Sequence, residues 1–175
     1  MNYYIADPHF FHGNIIRLCG RPFADVAGMN KAIMDNWNRT VKEDDTIYIL
    51  GDFSHKASEK DVKALLGCLK GKKVLITGNH DRVITGSRDL MSEFVKVTAY
   101  LKVRDGGRDI VLFHYPIAEW DGFYRGAYHF YGHIHNNDND ACRLMKDVPR
   151  AYNVGAELIG FCPRTADEII TGIWN

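Results

Sequence analysis

The sequence has few cysteines, no long hydrophobic run and no excess of charge of either sign. Its 4 cysteines lie far apart and form no CxxC pair, which excludes the dense disulfide framework of a small secreted domain. The apolar segments are far shorter than the ~20 residues of a transmembrane helix. The 22 Lys and Arg residues balance the 22 Asp and Glu residues, which argues against a dedicated binder of long nucleic acid or of an anionic membrane. We therefore expect reduced thiols and a soluble, cytoplasmic protein.

Other absences bear on the organisation of the chain. The sequence contains no low-complexity stretch, no internal repeat and no linker rich in Pro or Ser. A strand-like run over residues 3–6 begins almost at Met1, so we expect no signal peptide. The length suits one domain, which we predict over residues 1–175. Folding at this length buries about 70% of the chain's surface, so a core can form without disulfides or metals.

Short runs of apolar residues alternate with helical patterns in the first half of the chain. Strand-like runs recur at residues 3–6, 46–50, 73–76, 95–103, 109–113, 128–131 and 152–154. The four-residue spacing from Met29 to Val41 predicts one helix, and Ser58 and Gly71 bound a second. Residues 105–107, Asp-Gly-Gly, indicate a hairpin turn. The order predicts an α/β protein whose sheet begins parallel and finishes with antiparallel strands.

Polar residues of metal-binding types directly follow these apolar runs. They are Asp7 and His9, Asp52, Asn79 with His80 and Asp81, His114, and His133 with His135. In open α/β sheets, ligands bind at the carboxyl ends of the strands. Carboxylate, carboxamide and imidazole donors without thiolate suit Mn, Fe, Zn or related divalent ions. The pattern therefore predicts a metal site at this edge, with enough donors for two adjacent metals that share one carboxylate.

The charge of such a site indicates the class of substrate. Two divalent ions, two carboxylates and a bridging hydroxide together leave a net positive charge. A phosphate ester fits this charge because its transition state gathers negative charge on oxygens that metals can hold. Among the motifs, Gly-Asn-His-Asp at residues 78–81 is the most specific, since it is rarely matched by chance.

Taken together, the motifs resemble the signature of calcineurin-like metallophosphoesterases. They are Asp7-x-His9, Gly51-Asp52, Gly78-Asn79-His80-Asp81, His114 and Gly132-His133-x-His135. The segment that begins at Asp7, Asp-x-His-Phe-x-His, is also similar to small bacterial and phage members. The resemblance implies a four-layer αββα sandwich, in which two mixed β-sheets face each other between outer helices. The dimetal site would lie at one end, in an open cleft, because no cap domain fits in this length.

The resemblance also implies a role for each motif residue. The first metal would be held by Asp7, His9, Asp52 and His135, and the second by Asp52 as a bridge, Asn79, His114 and His133. His80 would be the general acid near the leaving oxygen, with Asp81 hydrogen-bonded to its imidazole. The implied cofactors are two divalent metal ions, with Mn²⁺ favoured and Fe, Zn, Ni or Co as alternatives.

Residues outside the motifs divide between substrate contacts and structural roles. Candidate phosphate contacts are His12, Arg17, Arg21 and Arg82. A solvated surface charge is the alternative for each arginine. His55 and His129 match no motif and are interpreted as structural. Cys19 and Cys162 have no adjacent base in the sequence and are interpreted as inert thiols.

An aromatic stretch lies between two of the motifs, over residues 115–131. Its large rings include Trp120, Phe123, Tyr124 and Tyr128. Such rings either stack a nucleobase at the mouth of the cleft or pack on their own scaffold. Packing is the favoured interpretation.

The predicted function is that of a dimetal phosphoesterase that cleaves P–O bonds through a metal-bridging hydroxide, with His80 as general acid. A phosphodiesterase acting on a small, nucleotide-like diester is favoured, because an uncapped cleft with a histidine acid resembles the diesterase members. A phosphomonoesterase, protein phosphatases included, is the enzymatic alternative. A non-catalytic binding scaffold is the alternative from another class, and the complete ligand set argues against it. We expect no membrane partner and no long nucleic acid, and the oligomeric state stays open.

Overall fold

Two four-stranded β-sheets form the centre of the fold in the computed structural model, which describes residues 1–173. The first sheet has the order β1 (Asn2–Ile5), β2 (Thr46–Leu50), β3 (Lys72–Ile76) and β4 (Lys96–Thr98). The second has the order β5 (Tyr100–Asp105), β6 (Arg108–Phe113), β7 (Tyr128–Tyr131) and β8 (Ala151–Asn153). All neighbours in the first sheet are parallel. In the second, β5 and β6 are antiparallel and the remaining neighbours are parallel.

Helices surround these sheets. They are α1 (Gly13–Leu18), α2 (Val26–Thr40), α3 (Glu59–Cys68), α4 (Arg82–Thr85), α5 (Arg88–Met91), α6 (Asp140–Lys146) and α7 (Ala166–Thr171), with a 3₁₀ turn at Phe123–Arg125. Helix α3 begins where the sequence predicts, because the Ser58 side chain accepts a hydrogen bond from the amide of Asp61. Helix α2 buries Met29, Ile33 and Trp37, the apolar face predicted from its spacing.

The first sheet is buried on both faces, and alternate residues of its strands point to different cores. Ile49 of β2 and Leu75 of β3 pack against the helix layer of α2 and α3. Leu50 and Ile76, one residue further along, pack against the second sheet instead. This alternation follows the two-residue period of a strand. It explains why these strands are continuously apolar in sequence.

The four layers are helices, first sheet, second sheet and an outer layer of helix and loop. Between the sheets, the rings of Tyr4 and Phe130 meet edge to face at 5.0 Å. On the outer face of the second sheet, Met145 of α6 packs on Tyr131, and Trp120 lies in a separate buried cluster. The structure thus confirms the predicted αββα sandwich. Among residues 1–173, no helix has the length and apolar character needed to cross a membrane.

Three details of the strand prediction differ from the structure. The strand-like run over residues 95–103 is two strands, because the chain bends at Ala99 and passes from the first sheet to the second. The chain does not finish antiparallel, since the long connections between β6, β7 and β8 allow parallel pairing. The resemblance implied two mixed sheets, but the strands of the first sheet are all parallel. Within the described residues, its one antiparallel contact is the isolated bridge between Tyr4 and Arg164.

Candidate metal centre

The loops that leave the carboxyl ends of β1, β2, β3, β6 and β7 converge at one end of the two sheets. They carry the motif residues, and two groups of potential ligands made of motif residues form there: Asp7, His9 and His135, and Asp52, His114 and His133. A third group, Cys19, His135 and Glu157, shares His135 with the first. Within each group the ligand atoms lie within 4.8 Å of one another. The site therefore draws on both sheets, as expected from the position of each motif after a strand.

The backbone of these loops is held in an unusual conformation. The left-handed region of positive φ, which disfavours residues with a side chain, contains Asp7 (54°), His9 (51°), Asp52 (53°), His133 (68°) and His135 (50°). Left-handed residues other than glycine cluster at functional sites, where the surrounding structure supports their strain. Here the tight turns bring consecutive loop side chains towards a common centre.

The motif glycines are required by close contacts at the same centre. A Cβ atom at Gly51 would overlap Nδ1 of His114, and one at Gly132 would overlap the carboxylate of Asp7. A Cβ at Gly78 would overlap Oδ1 of Asp52. The glycines thus let the backbone approach the ligand side chains, which a larger residue would displace.

In the first group, Asp7 and His9 are fully buried. Oδ1 of Asp7 lies 3.9 Å from Nε2 of His9, and the rings of His9 and His135 stack at 5.1 Å. Oδ2 of Asp7 accepts a hydrogen bond of 2.8 Å from the amide of His133. That bond fixes the carboxylate and leaves Oδ1 to face the centre of the group.

In the second group, His114 is aligned through both ring nitrogens. Its Nδ1 donates a hydrogen bond of 2.8 Å to the carbonyl oxygen of Leu50, which leaves Nε2 with a lone pair. Nε2 lies 3.2 Å from Oδ1 of Asn79 and 3.7 Å from Oδ2 of Asp52. A lone pair, an amide oxygen and a carboxylate oxygen therefore point to one position.

Asp52 lies between the two groups. Its Oδ2 is 3.6 Å from Nε2 of His9 in the first group and 3.7 Å from Nε2 of His114 in the second. Its Oδ1 accepts a hydrogen bond of 2.8 Å from the amide of His80. One oxygen is thus anchored while the other faces both groups, which is the geometry expected of a bridging ligand.

Five buried side-chain polar atoms have no hydrogen-bond partner among the described residues, and two of them, Oδ1 of Asp7 and Nε2 of His9, face the centre of the first group. Burial raises the pKa of Asp7 well above its ordinary value and lowers the pKa of His9. Unpartnered buried polar groups are costly. A divalent cation at the centre of the group would satisfy both atoms and stabilise the carboxylate. The donor set therefore fits a metal.

On the side away from the metal centre, His135 contacts Glu157, which in turn binds Arg21. The sequence analysis did not predict either partner. Its Nδ1 lies 3.1 Å from Oε1 of Glu157, which also accepts hydrogen bonds from the guanidinium of Arg21 at 2.7 and 2.9 Å. Arg21 donates further bonds to the carbonyl oxygens of Asp7 and Pro8. These contacts fix the ring so that Nε2 of His135 faces the site.

This buried pair also changes the charges near the metal centre. Burial lowers the pKa of His135, but hydrogen bonds with Cys19 and Glu157 and the charge of Asp7 outweigh burial and raise it to about 10. Burial raises the pKa of Glu157, but His135 and Arg21 hold it below its usual range. Arg21 is therefore neither a solvated charge nor a phosphate clamp, since its guanidinium is buried against Glu157. Glu157 belongs to no motif, and the sequence analysis did not select it. Its position shortly after β8 is the one sequence signal that could have indicated a place in the site.

His80 lies at the open side of the centre. Its side chain is 38% exposed, and its Nε2 is 4.0 Å from Oδ2 of Asp52. Its Nδ1 lies 3.2 Å from Nδ1 of His55, which sequence reasoning interpreted as structural. His55 therefore belongs to the site, in contact with the candidate acid.

The predicted contact between Asp81 and the His80 ring is not what the structure shows. Asp81 is buried, and its carboxylate accepts hydrogen bonds from the amides of Gly78, Asp52 and Phe53 at 2.7 to 2.9 Å. Burial raises the pKa of Asp81 to about 6 although these bonds oppose the shift. Asp81 instead joins the loops after β2 and β3, because its side chain turns inward where α4 begins.

The remaining candidate residues lie at varied distances from the centre. Nδ1 of His12 is 3.3 Å from Nδ1 of His9, so His12 adjoins a ligand. Arg17 and Arg82 are exposed, and no hydrogen bond or ion pair within residues 1–173 connects them to the ligands. His129 is buried and donates from Nδ1 to the carbonyl oxygen of Val111, as expected of a structural histidine.

The aromatic stretch packs mainly on its own scaffold. Trp120 is buried, donates to the carbonyl oxygen of Ala127 and meets Phe123 edge to face. The ring that reaches the site is Tyr115, which is 36% exposed. Its centroid lies 4.5 Å from that of His133.

With this geometry in place, comparison with known proteins identifies the class. Residues 3–142 match the calcineurin-like phosphoesterase family, and the chain belongs to it. The protein is therefore a metal-dependent phosphoesterase with a binuclear divalent metal centre, which the two ligand groups fit. Its substrates are phosphoesters.

Particular relatives extend this result. An uncharacterized protein of Methanocaldococcus jannaschii, MJ1445, is 34% identical over 169 residues, 96% of this chain and 88% of the relative. The Gene 66 protein of Mycobacterium phage L5 is 29% identical over 131 residues, 65% of this chain and 62% of the phage protein.

Solved structures share the fold. The crystal structure of AQ665, a protein of unknown function from Aquifex aeolicus, has a TM-score of 0.76 and 27% identity over 99% of both chains. An archaeal phosphodiesterase has a TM-score of 0.50 and 16% identity over 96% of this chain and 94% of its own, which supports the fold alone.

Proposed function

We propose that this protein is a phosphodiesterase that hydrolyses a small, nucleotide-like diester with Mn²⁺ in its metal centre and His80 as general acid. The observation that carries the proposal is the position of His80. Its ring is exposed and adjoins the bridging carboxylate Asp52, whereas the ligands His9 and His114 are buried. A histidine beside the centre but outside the ligand groups is free to exchange a proton with substrate.

The metals would be held by the residues already described. Asp7, His9, His135 and the bridge Asp52 would bind one ion, and Asp52, Asn79, His114 and His133 the other. Two divalent ions bound there would supply positive charge to a phosphoryl oxygen and acidify a water molecule. Carboxylate, carboxamide and imidazole donors are compatible with Mn²⁺, as they are with Fe, Zn, Ni or Co.

The chain's own contribution is to hold a proton at Nε2 of His80. As the new bond from a water oxygen to phosphorus forms, the bond to the leaving oxygen breaks with its electron pair. The leaving oxygen takes the proton from His80, and the proton released by the water returns to His80 through solvent. The products are a phosphomonoester and an alcohol. A positioned acid of this kind contributes about 10²–10⁴-fold to the rate.

The charges of the site favour a diester over a monoester. A phosphomonoester carries nearly one negative charge more than a diester at neutral pH, so its binding gains more from an arginine clamp. Arg21, the arginine beside the ligands, is bound to Glu157 and to backbone carbonyls instead. Arg17 and Arg82 are exposed, and none of the hydrogen bonds or ion pairs among residues 1–173 joins them to the candidate ligands.

A nucleotide-like substrate is supported by Tyr115. Its ring is exposed beside His133 and His114, with centroids 4.5 and 4.9 Å away. An exposed aromatic ring beside the metal centre can stack on a base. The rings of Trp120 and Phe123 are packed on the scaffold and do not offer this contact.

The test compares bis(4-nitrophenyl) phosphate with 4-nitrophenyl phosphate. Protein stripped of metal is assayed with and without Mn²⁺, next to His80→Ala and to Tyr124→Ala, a change at an exposed tyrosine outside the site. We expect Mn²⁺-dependent cleavage that favours the diester, a loss of about 10²-fold or more in His80→Ala, and no loss in Tyr124→Ala. Preference for the monoester would indicate a phosphatase. Bound metal without turnover of either ester would indicate a binding scaffold.

A further inference from the structure

Four histidines form a continuous row along the open side of the metal centre. Nδ1 of His9 lies 3.3 Å from Nδ1 of His12, and the rings of His12 and His55 stack with centroids 4.0 Å apart. The row ends with Nδ1 of His55 at 3.2 Å from Nδ1 of His80. The rings of His9 and His80 also lie 5.6 Å apart, so the row closes into a cluster of a buried candidate ligand, the exposed candidate acid and two rings outside the ligand groups.

Each contact between two ring nitrogens holds one proton, so one ring donates and the other accepts. His80 acting as an acid carries a proton on each ring nitrogen, with Nε2 towards the site. Its Nδ1 must then donate, and Nδ1 of His55 must accept. His55 is therefore neutral in that state, with its own proton on Nε2.

At the other end of the row, the contacts of His9 fix which of its ring nitrogens carries the proton. Nε2 of His9 faces Asp7 and Asp52, so its lone pair points to the metal position and its proton lies on Nδ1. Nδ1 of His12 must accept that proton's hydrogen bond. The two middle rings, His12 and His55, are thus both acceptors, and neither competes with the centre for a metal. Their stacking holds the two acceptors together across the edge of the site.

We propose that His55, held by stacking on His12, is the positioning residue of the acid: it accepts a hydrogen bond from Nδ1 of His80 and turns Nε2 towards the leaving oxygen. This inference rests on the proposed role of His80. It assigns to His55 the orienting function that the sequence suggested for Asp81, whose carboxylate is occupied by three backbone amides.

The proposal is tested with two substitutions that separate acceptor from ring. In His55→Asn the amide oxygen can replace Nδ1 as an acceptor, whereas His55→Phe keeps a ring on His12 and removes the acceptor. Each is assayed with bis(4-nitrophenyl) phosphate and with diphenyl phosphate, whose phenolate leaves less readily and depends more on an acid. We expect His55→Phe to lose about tenfold more rate on diphenyl phosphate than on the nitrophenyl ester. His55→Asn should recover most of that loss.

A double variant shows whether His55 acts through His80. If it does, His55→Phe costs nothing further in a His80→Ala background, because the group that it positions is already missing. Equal losses on both esters, equal losses in the Phe and Asn variants, or a full additional loss in the double variant would overturn the proposal.

A measurement without turnover completes the test. Nitrogen-15 NMR of the Zn²⁺-loaded protein reports which ring nitrogens carry protons. We expect a protonated Nδ1 on His80 and an unprotonated Nδ1 on His55. In His55→Phe we expect the nitrogen-15 signals of the His80 ring to change, because Nδ1 has lost its acceptor. A proton on Nδ1 of His55 would overturn the inference. If wild-type protein hydrolyses neither diester, the proposed function fails, and this spectrum still decides whether His55 accepts from His80.

Discussion

The two sides of the metal centre are built differently. On the inner side, Asp7 and His9 are buried and His135 is fixed by the Arg21–Glu157 pair. On the outer side, His80 is exposed and its neighbour is another histidine. The inner side thus holds the candidate ligands in one geometry, whereas the outer side presents the exposed candidate acid and its neighbour. The comparison predicts that inner changes alter metal binding and outer changes alter turnover of bound substrate.

The largest effect is expected at the residue that both sides share. Asp52→Asn removes the charge of the bridging oxygen and keeps the shape of the side chain. Loss of a supporting partner costs about 10–100-fold, so we expect the loss of a bridging ligand to exceed a hundredfold in kcat. Metal content and the rate on bis(4-nitrophenyl) phosphate would be measured together. Full activity with two bound metals would contradict the assignment of Asp52 as the bridge.

Glu157→Gln changes the inner side alone. It leaves the buried Arg21 charge unpaired and weakens the hold on His135. We expect metal affinity to fall by about 10–100-fold and unfolding free energy to fall by about 3–5 kcal/mol. Metal titration and thermal unfolding measure the two effects.

The matched control for this change is Glu93→Gln. Glu93 forms a more exposed and longer ion pair, at 3.8 Å from Lys63. Such a pair is worth about 0–1 kcal/mol, so stability and metal affinity should both stay nearly unchanged. If Glu93→Gln lowered stability and metal affinity as much as Glu157→Gln does, the buried ion pair on the inner side would be no more important than an exposed one.

Tyr115→Ala changes the outer side alone. Loss of one stacked base costs about 1–3 kcal/mol, so we expect KM for a dinucleotide diester to rise about fivefold or more. The kcat value and the metal content should be unchanged, and Tyr115→Phe should behave as the wild type. Steady-state kinetics with Tyr124→Ala as the control tests this. A fall in metal content would instead place Tyr115 on the inner side of the comparison.

The smallest effect is expected far from both sides. Ser58→Ala removes the cap of α3, whose side-chain oxygen accepts from the amide of Asp61. The cost is about 1 kcal/mol of stability, with no change in metal affinity. Chemical denaturation and metal titration would show this. A coupled loss of metal affinity would mean that the helix layer also sets the geometry of the centre.

The grouping of the candidate ligands at one edge could be predicted from the sequence because each follows an apolar strand within a short motif. Asp7, Asp52 and His114 all leave strand ends that the αββα fold brings to one edge. The supporting residues could not, since their partners are distant in the chain. Glu157 meets Arg21 across 136 positions, and no local pattern marks such a pair.

The error over Asp81 has a physical cause. Adjacency in sequence suggested that Asp81 would contact the His80 ring, but neighbouring side chains at the start of a helix point in different directions. His55, which does contact His80, comes from the loop after β2 and lies 25 positions away. Similarly, the break at Ala99 was hidden because Val97 before it and Leu101 and Val103 after it continue a strand-like pattern, although they pack in different cores.

The chain passes from the first sheet to the second at Ala99, and this point divides the candidate ligands into two sets. The carboxylates, Asn79 and His9 precede it, and His114, His133 and His135 follow it. Neither half of the chain contains a complete donor set for the two ions. Metal occupancy is therefore thermodynamically linked to the docking of one sheet on the other. Loosening the interior around Phe130, between the sheets, should release metal even though this ring ligates nothing.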